Sequence, residues 1–156
     1  MKEIIARPGE VIVEQGDCII TSYALGSSLG ICLYDATHQI GGYVHSILPN
    51  SPITSRDSKY VDDAIHMLYE AMQTWHIGNE HLSAKIVGGA KLFQFPKDET
   101  ADIGKANIQV AREVLKVLKI PIAHEDIGDQ YGRSIHFHLE TGLVYVETKN
   151  KYVYHI

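Results

Sequence analysis

Two spacings of apolar residues alternate along the chain. In the first third, short apolar runs are broken by turn formers: Val11-Ile12-Val13 precedes Gly16-Asp17, and Cys18 to Tyr23 precedes the break at Gly26 to Gly30. Ile31 to Tyr34 then resumes the pattern, and Gly41-Gly42 leads into Tyr43 to Leu48 before Pro49. Runs of this kind predict strands joined as hairpins. From Tyr60 the spacing lengthens, and Val61, Ile65, Leu68, Met72 and Trp75 form one apolar stripe, which predicts a helix stopped by Gly78. Ala84 to Val87 predicts a buried strand ending at Gly88-Gly89-Ala90. A polar loop from Pro96 to Asp102 leads to a second helix over Gly104 to Lys119, with Ile108, Ala111, Val114, Leu115 and Leu118 on its apolar side and Pro121 just beyond. Ile122 to Asp126, Ser134 to Leu139 and Leu143 to Val146 read as strands again. The order implies an α/β fold: a mixed β-sheet built from hairpins, with two main helices packed on it.

Composition narrows the functional classes. A length of 156 residues suits one domain, expected to span residues 1–156. Fourteen basic against nineteen acidic side chains give a formal charge of −5, and no stretch concentrates Lys or Arg. Binding to nucleic acid or to an anionic membrane through bulk charge is therefore not expected. No apolar run approaches the roughly 20 residues of a bilayer span. Met1 to Pro8 lacks the apolar core of a secretory signal, so a cytoplasmic location is expected. Cys18 and Cys32 sit in apolar segments and read as reduced core residues rather than a disulfide framework.

Two places could carry chemistry. Gly26-Ser27-Ser28 interrupts two apolar strands, and a tight turn of this kind can present a side chain at its tip and aim N–H groups at an oxyanion. Gly and Ser also make ordinary turns. His45 lies in the strand Tyr43 to Ile47, on the opposite face from Val44, where a neutral imidazole can act as a general base. A hydrogen-bonded core histidine fits the same letters. The pairing of this turn with a strand histidine seventeen residues later favours the functional reading. His136 and His138 share one strand face but lack a third ligand nearby in sequence, so two solvent-facing histidines are expected and no metal. Gly88-Gly89-Ala90 lacks the Lys-Ser/Thr of a phosphate loop and suits close backbone approach to substrate or a simple turn. Glu125 and Asp126, being adjacent in a strand, face opposite ways. Tyr145, Tyr152 and Tyr154 are expected to cover an edge strand.

The ordered set Leu25-Gly26-Ser27-Ser28-Leu29-Gly30 and Gly41-Gly42-Tyr43-Val44-His45-Ser46-Ile47-Leu48-Pro49 resembles CheD, the chemoreceptor glutamine deamidases. The likeness continues through Lys59-Tyr60, Gly88-Gly89-Ala90, Asn107, Glu125 to Gly128, Gly132-Arg133-Ser134 and Glu140-Thr141-Gly142, covering essentially the whole chain. The resemblance implies a three-layer α/β fold and no metal or organic cofactor. It also implies a cysteine nucleophile at the position of Ser28, with His45 as its base and Thr21 orienting that base. The turn Gly26-Ser27, with Gly88 and Gly89, would bind substrate or the oxyanion. The substrate would be a glutamine on the cytoplasmic helices of a methyl-accepting chemoreceptor, and a CheC-type phosphatase would be a second partner.

The chain departs from that pattern at the nucleophile. A thiolate paired with histidine attacks an amide far better than an alcohol does. Three readings of Ser28 stand open: an introduced Cys→Ser replacement, a natural variant that has kept binding and lost deamidation, and a working Ser–His site. Two other functional classes stand beside the deamidase: a non-catalytic module that binds receptor or CheC, and a serine hydrolase on another amide or ester.

Overall fold

The computed structural model describes residues 1–53, 55–92, 102–149 and 153–156. Most of the polar loop expected at 96–102 and Tyr152 lie outside the described residues.

The period-two runs become strands. β1 (Lys2–Ile5), β2 (Ile12–Gln15), β3 (Cys18–Leu25), β4 (Leu29–Asp35) and β5 (Ile40–Ser46) precede helix α1 (Val61–Gln73). A short 3-10 turn, Asn79–His81, leads into β6 (Leu82–Gly88), then α2 (Ile103–Val117). β7 (Ile122–Ile127), β8 (Arg133–His138), β9 (Val144–Thr148) and β10 (Val153–His155) complete the order. The strands divide between two mixed five-stranded sheets, ordered β1-β3-β8-β9-β10 and β2-β5-β4-β6-β7.

Three layers follow. Val44, Ile31, Leu33 and Ile86 on one face of the second sheet pack with Ile65, Leu68 and Met72 of α1 and with Ala111 and Leu115 of α2. The opposite face carries Cys32, Tyr43 and Val87, which pack with Ile20, Ile135, Phe137 and Val146 of the first sheet. Strand alternation assigns each side chain of β4 and β5 to one of these two cores. His45, opposite Gly30 in register, therefore faces the layer between the sheets.

Helix ends differ from expectation. α1 stops at Gln73, and the left-handed residue beyond it is His76 at φ 60°, ahead of Gly78. Trp75, placed on the apolar stripe by spacing, is consequently past the helix and 39% exposed. α2 starts at Ile103, one residue before the expected Gly104, because the Asp102 side chain caps it by accepting from the Lys105 N–H at 3.0 Å.

Candidate active site

β3 does not run straight into its turn. Its pairing with β8 shifts register between Ser22 and Leu25, and Ala24 sits at φ 60°. This irregularity redirects the chain into Gly26-Ser27-Ser28, which leads at once into β4. The carbonyls of that turn are held one after another. Gly26 O accepts from Ala90 N, Ser27 O from Asn107 Nδ2 and Ser28 O from Gly89 N, each at 2.9 Å. Among the described residues, the N–H groups of Ser27 and Ser28 donate to no acceptor. They are left available to a developing oxyanion.

Gly88 and Gly89 form the back wall of the turn. Gly88 has φ 115°, and a Cβ there would stand 2.4 Å from the Ser28 carbonyl oxygen. In this structure they lie against the turn, and the Gly89 N–H donates to Ser28 O.

Ser28 and His45 meet. The Ser28 hydroxyl lies 2.8 Å from His45 Nε2, with the two residues only 9% and 6% exposed. Burial lowers the His45 pKa below its ordinary value, which favours the neutral imidazole. In the tautomer protonated on Nδ1, Nε2 accepts from the serine hydroxyl, the arrangement a general base needs. Among the described residues no carboxylate is hydrogen-bonded to His45.

Thr21 lies elsewhere. Alternation along β3 puts Ile20 in the inter-sheet core and Thr21 on the other face, where its hydroxyl donates to Glu3 at 3.2 Å and sits 3.0 Å from His136 Nδ1. It is not a partner of His45 in this structure. The neighbouring hydroxyl on the inner face is that of Ser22, which is fully buried. Among the described residues, neither the Ser22 hydroxyl nor the buried Tyr43 hydroxyl has a hydrogen-bond partner. Gly30 makes room for that tyrosine, since a Cβ at Gly30 would lie 2.6 Å from the phenol oxygen. The sequence signal for Ser22 was the period-two pattern itself: it follows Ile20 by two.

Cys18 and Cys32 are free and buried, and burial pushes both thiols up, so neither replaces a nucleophile at position 28. His136 and His138 share a face, and no cluster of three potential metal ligands occurs among the described residues. Glu125 pairs with Arg112 at 2.7 Å, whereas Asp126 pairs with Arg133 at 3.2 Å, so the two carboxylates do face apart. Tyr154 meets Asp126 through its hydroxyl.

Arg133 shapes a neighbouring loop. It is fully buried and donates to the carbonyl of Gly128 at 2.9 Å, fixing the loop from Gly128 to Tyr131. That loop, with Gly89, Ile108 and Arg112, lines a cleft of about 790 Å³. Ser28 and His45 do not line it, but Gly89 is common to its wall and to the support of Ser28. Two exposed apolar side chains flank the turn and the base: Leu92, which covers Gly26, and Ile47, two residues after His45. No described helix is long and apolar enough to cross a membrane.

Comparison with known proteins agrees with the resemblance seen in the sequence. Residues 47–148 match the family model for CheD chemotactic sensory transduction. A probable chemoreceptor glutamine deamidase CheD of Pyrococcus horikoshii is 37% identical over 147 residues, 92% of this chain and 91% of that protein. Its namesake in Clostridium botulinum is 40% identical over 152 residues, 95% of this chain and 94% of that protein.

Proposed function

The chain belongs to the CheD family, and we propose that it acts on glutamine side chains of methyl-accepting chemoreceptors, converting them to glutamate at the Ser28–His45 site. The observation that carries this reading is the 2.8 Å contact between the Ser28 hydroxyl and His45 Nε2, on a turn whose Ser27 and Ser28 N–H groups have no acceptor among the described residues.

The side chain at position 28 attacks the amide carbon of the substrate, and His45 takes its proton. The N–H groups of Ser27 and Ser28 stabilise the oxyanion of the tetrahedral intermediate. The imidazolium returns the proton to the departing nitrogen, which leaves as ammonia. Water, activated by the again neutral imidazole, cleaves the acyl-enzyme to release glutamate. With cysteine the acyl-enzyme is a thioester, and with Ser28 it is an ester. The serine hydroxyl is un-ionised at neutral pH and must be deprotonated as it attacks, so the Ser28 form is slower on an amide.

The same contact supports a second reading. Carboxylic esters are more electrophilic than amides, so a Ser–His pair that is poor on glutamine suits an ester on the same kind of substrate. The flanking Leu92 and Ile47 support docking of a protein surface rather than a small polar molecule.

Residues 1–156 act as one CheD-like domain in the cytoplasm, where the receptor helices are found. The resemblance supports a CheC-type phosphatase as a further partner. Calorimetric titration with that phosphatase tests this, and the absence of binding heat at several temperatures would remove it from the account.

The activity is tested by mass spectrometry of a chemoreceptor cytoplasmic fragment incubated with this chain or with Ser28→Cys. Conversion of one glutamine adds about 1 Da, amide NH₂ giving way to OH. The expected result is fast conversion by Ser28→Cys and slow or undetectable conversion by the parent. If Ser28→Cys binds the fragment without converting any glutamine, the site is a binding module instead.

A further inference from the structure

Asn107 is fully buried in the first half of α2, far in sequence from both members of the reactive pair. Its Nδ2 donates to two carbonyls at once: Ser27 O at 2.9 Å and Ile47 O at 2.9 Å. Ser27 immediately precedes Ser28, and Ile47 follows His45 by two. One amide group therefore ties the segment that carries the nucleophile to the segment that carries the base.

The rest of the amide is unusual. Among the described residues, Asn107 Oδ1 is buried with no hydrogen-bond partner. A buried acceptor left unpaired is unfavourable, and an apolar side chain of the same volume would avoid it. Packing alone does not account for an asparagine here. Its two donated bonds do.

The helix is built to bring this residue to the turn. Gly104 lies one turn earlier on the same face, and a Cβ there would stand 2.4 Å from Gly89 O and 2.6 Å from Ala90 O. The α2 backbone thus rests directly on the segment that also holds Ser28 O and Gly26 O.

We propose that Asn107 is a positioning residue, whose side-chain NH₂ fixes the spacing between residue 28 and His45 by bridging the Ser27 and Ile47 carbonyls. This rests on reading Ser28 and His45 as the reactive pair. Without the bridge the pairing of Leu29 with Ser46 and of Gly30 with His45 still holds the strands together, but the Ser27 and Ile47 carbonyls are released, and the turn that aims residue 28 at Nε2 is less firmly fixed.

The test uses Ser28→Cys as parent, because position 28 is more exposed than Cys18 or Cys32, at 9% against 3% and 1%, and it alone has His45 as a partner. Asn107→Ala and Asn107→Leu are made on that background, the leucine preserving volume should the alanine variant not fold. Val110→Ala, a truncation of another buried α2 residue, controls for loss of stability. The rate of alkylation at residue 28 by iodoacetamide at neutral pH is followed by mass spectrometry, with kcat and KM for receptor deamidation alongside. Both Asn107 variants should slow alkylation and lower kcat about tenfold or more with KM within about twofold, and Val110→Ala should change neither by more than about twofold. If Asn107→Leu folds and is alkylated like its parent, the proposal is wrong. A parent that is alkylated at residue 28 but deamidates nothing contradicts the functional reading instead, and the alkylation rates still decide the role of Asn107.

Discussion

At position 45 the fold withholds water from an imidazole and gives it one hydroxyl for company. The unfolded imidazole takes up a proton as the pH falls through about 6.5, whereas the folded one, lowered by burial, does so only further down. Acid therefore favours the unfolded chain, and the stability present above the ordinary histidine pKa is lost as pH falls below it. His138 shifts the same way, through burial first and the nearby His136 second, so His45 carries a share of the effect. Thermal melts across the mildly acidic range should show the melting temperature falling with pH, and His45→Asn should flatten part of that slope. An unchanged slope in the variant would mean that His45 is not held neutral. The same residue scale shows how one step along a strand redirects a role: Thr21 and Ser22 both bear hydroxyls, yet only Ser22 faces the layer between the sheets that contains His45.

The elements place these residues by backbone contact more than by side-chain packing. Gly104 and Gly89 let α2 and the end of β6 touch, and a Cβ at Gly104 would fall well inside contact distance of two carbonyl oxygens. Gly104→Ala should lower unfolding free energy by about 1–3 kcal/mol through overpacking. Gly132→Ala, whose Cβ would meet, among the described residues, Leu25 O at 3.6 Å and nothing nearer, should stay within about 0.5 kcal/mol. Urea denaturation compares the two, and equal costs would contradict the close approach. The two helices were legible because Val61, Ile65, Leu68 and Met72, and likewise Ile108, Ala111 and Leu115, repeat at helical spacing. The turn and His45 were legible because glycine and serine interrupt apolar strands and a histidine sits within one. The division into two sheets was not legible. Alternation tells which residues of a strand share a face but not which strand lies alongside, and β3 pairs with β8, more than a hundred residues away. β1 and β10 are too short and too exposed to announce themselves by pattern. Asn107 entered only through resemblance, since a polar residue on a helix gives no sequence sign of what it bonds.

Across the whole molecule, the second sheet is the shared wall of two cores, one toward the helices and one toward the first sheet. Leu68 lies in the first and Phe137 in the second, both fully buried. Because β4 and β5 contribute to both, the two cores should melt together. Leu68→Ala and Phe137→Ala should each cost about 3–5 kcal/mol and shift one common calorimetric transition. Two separable transitions would show that the sheets fold as independent units. That shared wall matters to the site, because β4 starts at the turn of the proposed nucleophile and β5 carries the proposed base, so the Ser28–His45 contact is set where both cores meet. The most direct test of the account is therefore the rate at which Ser28→Cys converts a chemoreceptor glutamine to glutamate, measured with His45 intact and with His45→Ala. Removal of the imidazole should slow conversion by about 10²–10⁴-fold while the circular dichroism of the folded chain is retained. Equal rates in the two proteins would contradict the assignment of residue 28 and His45 as nucleophile and base.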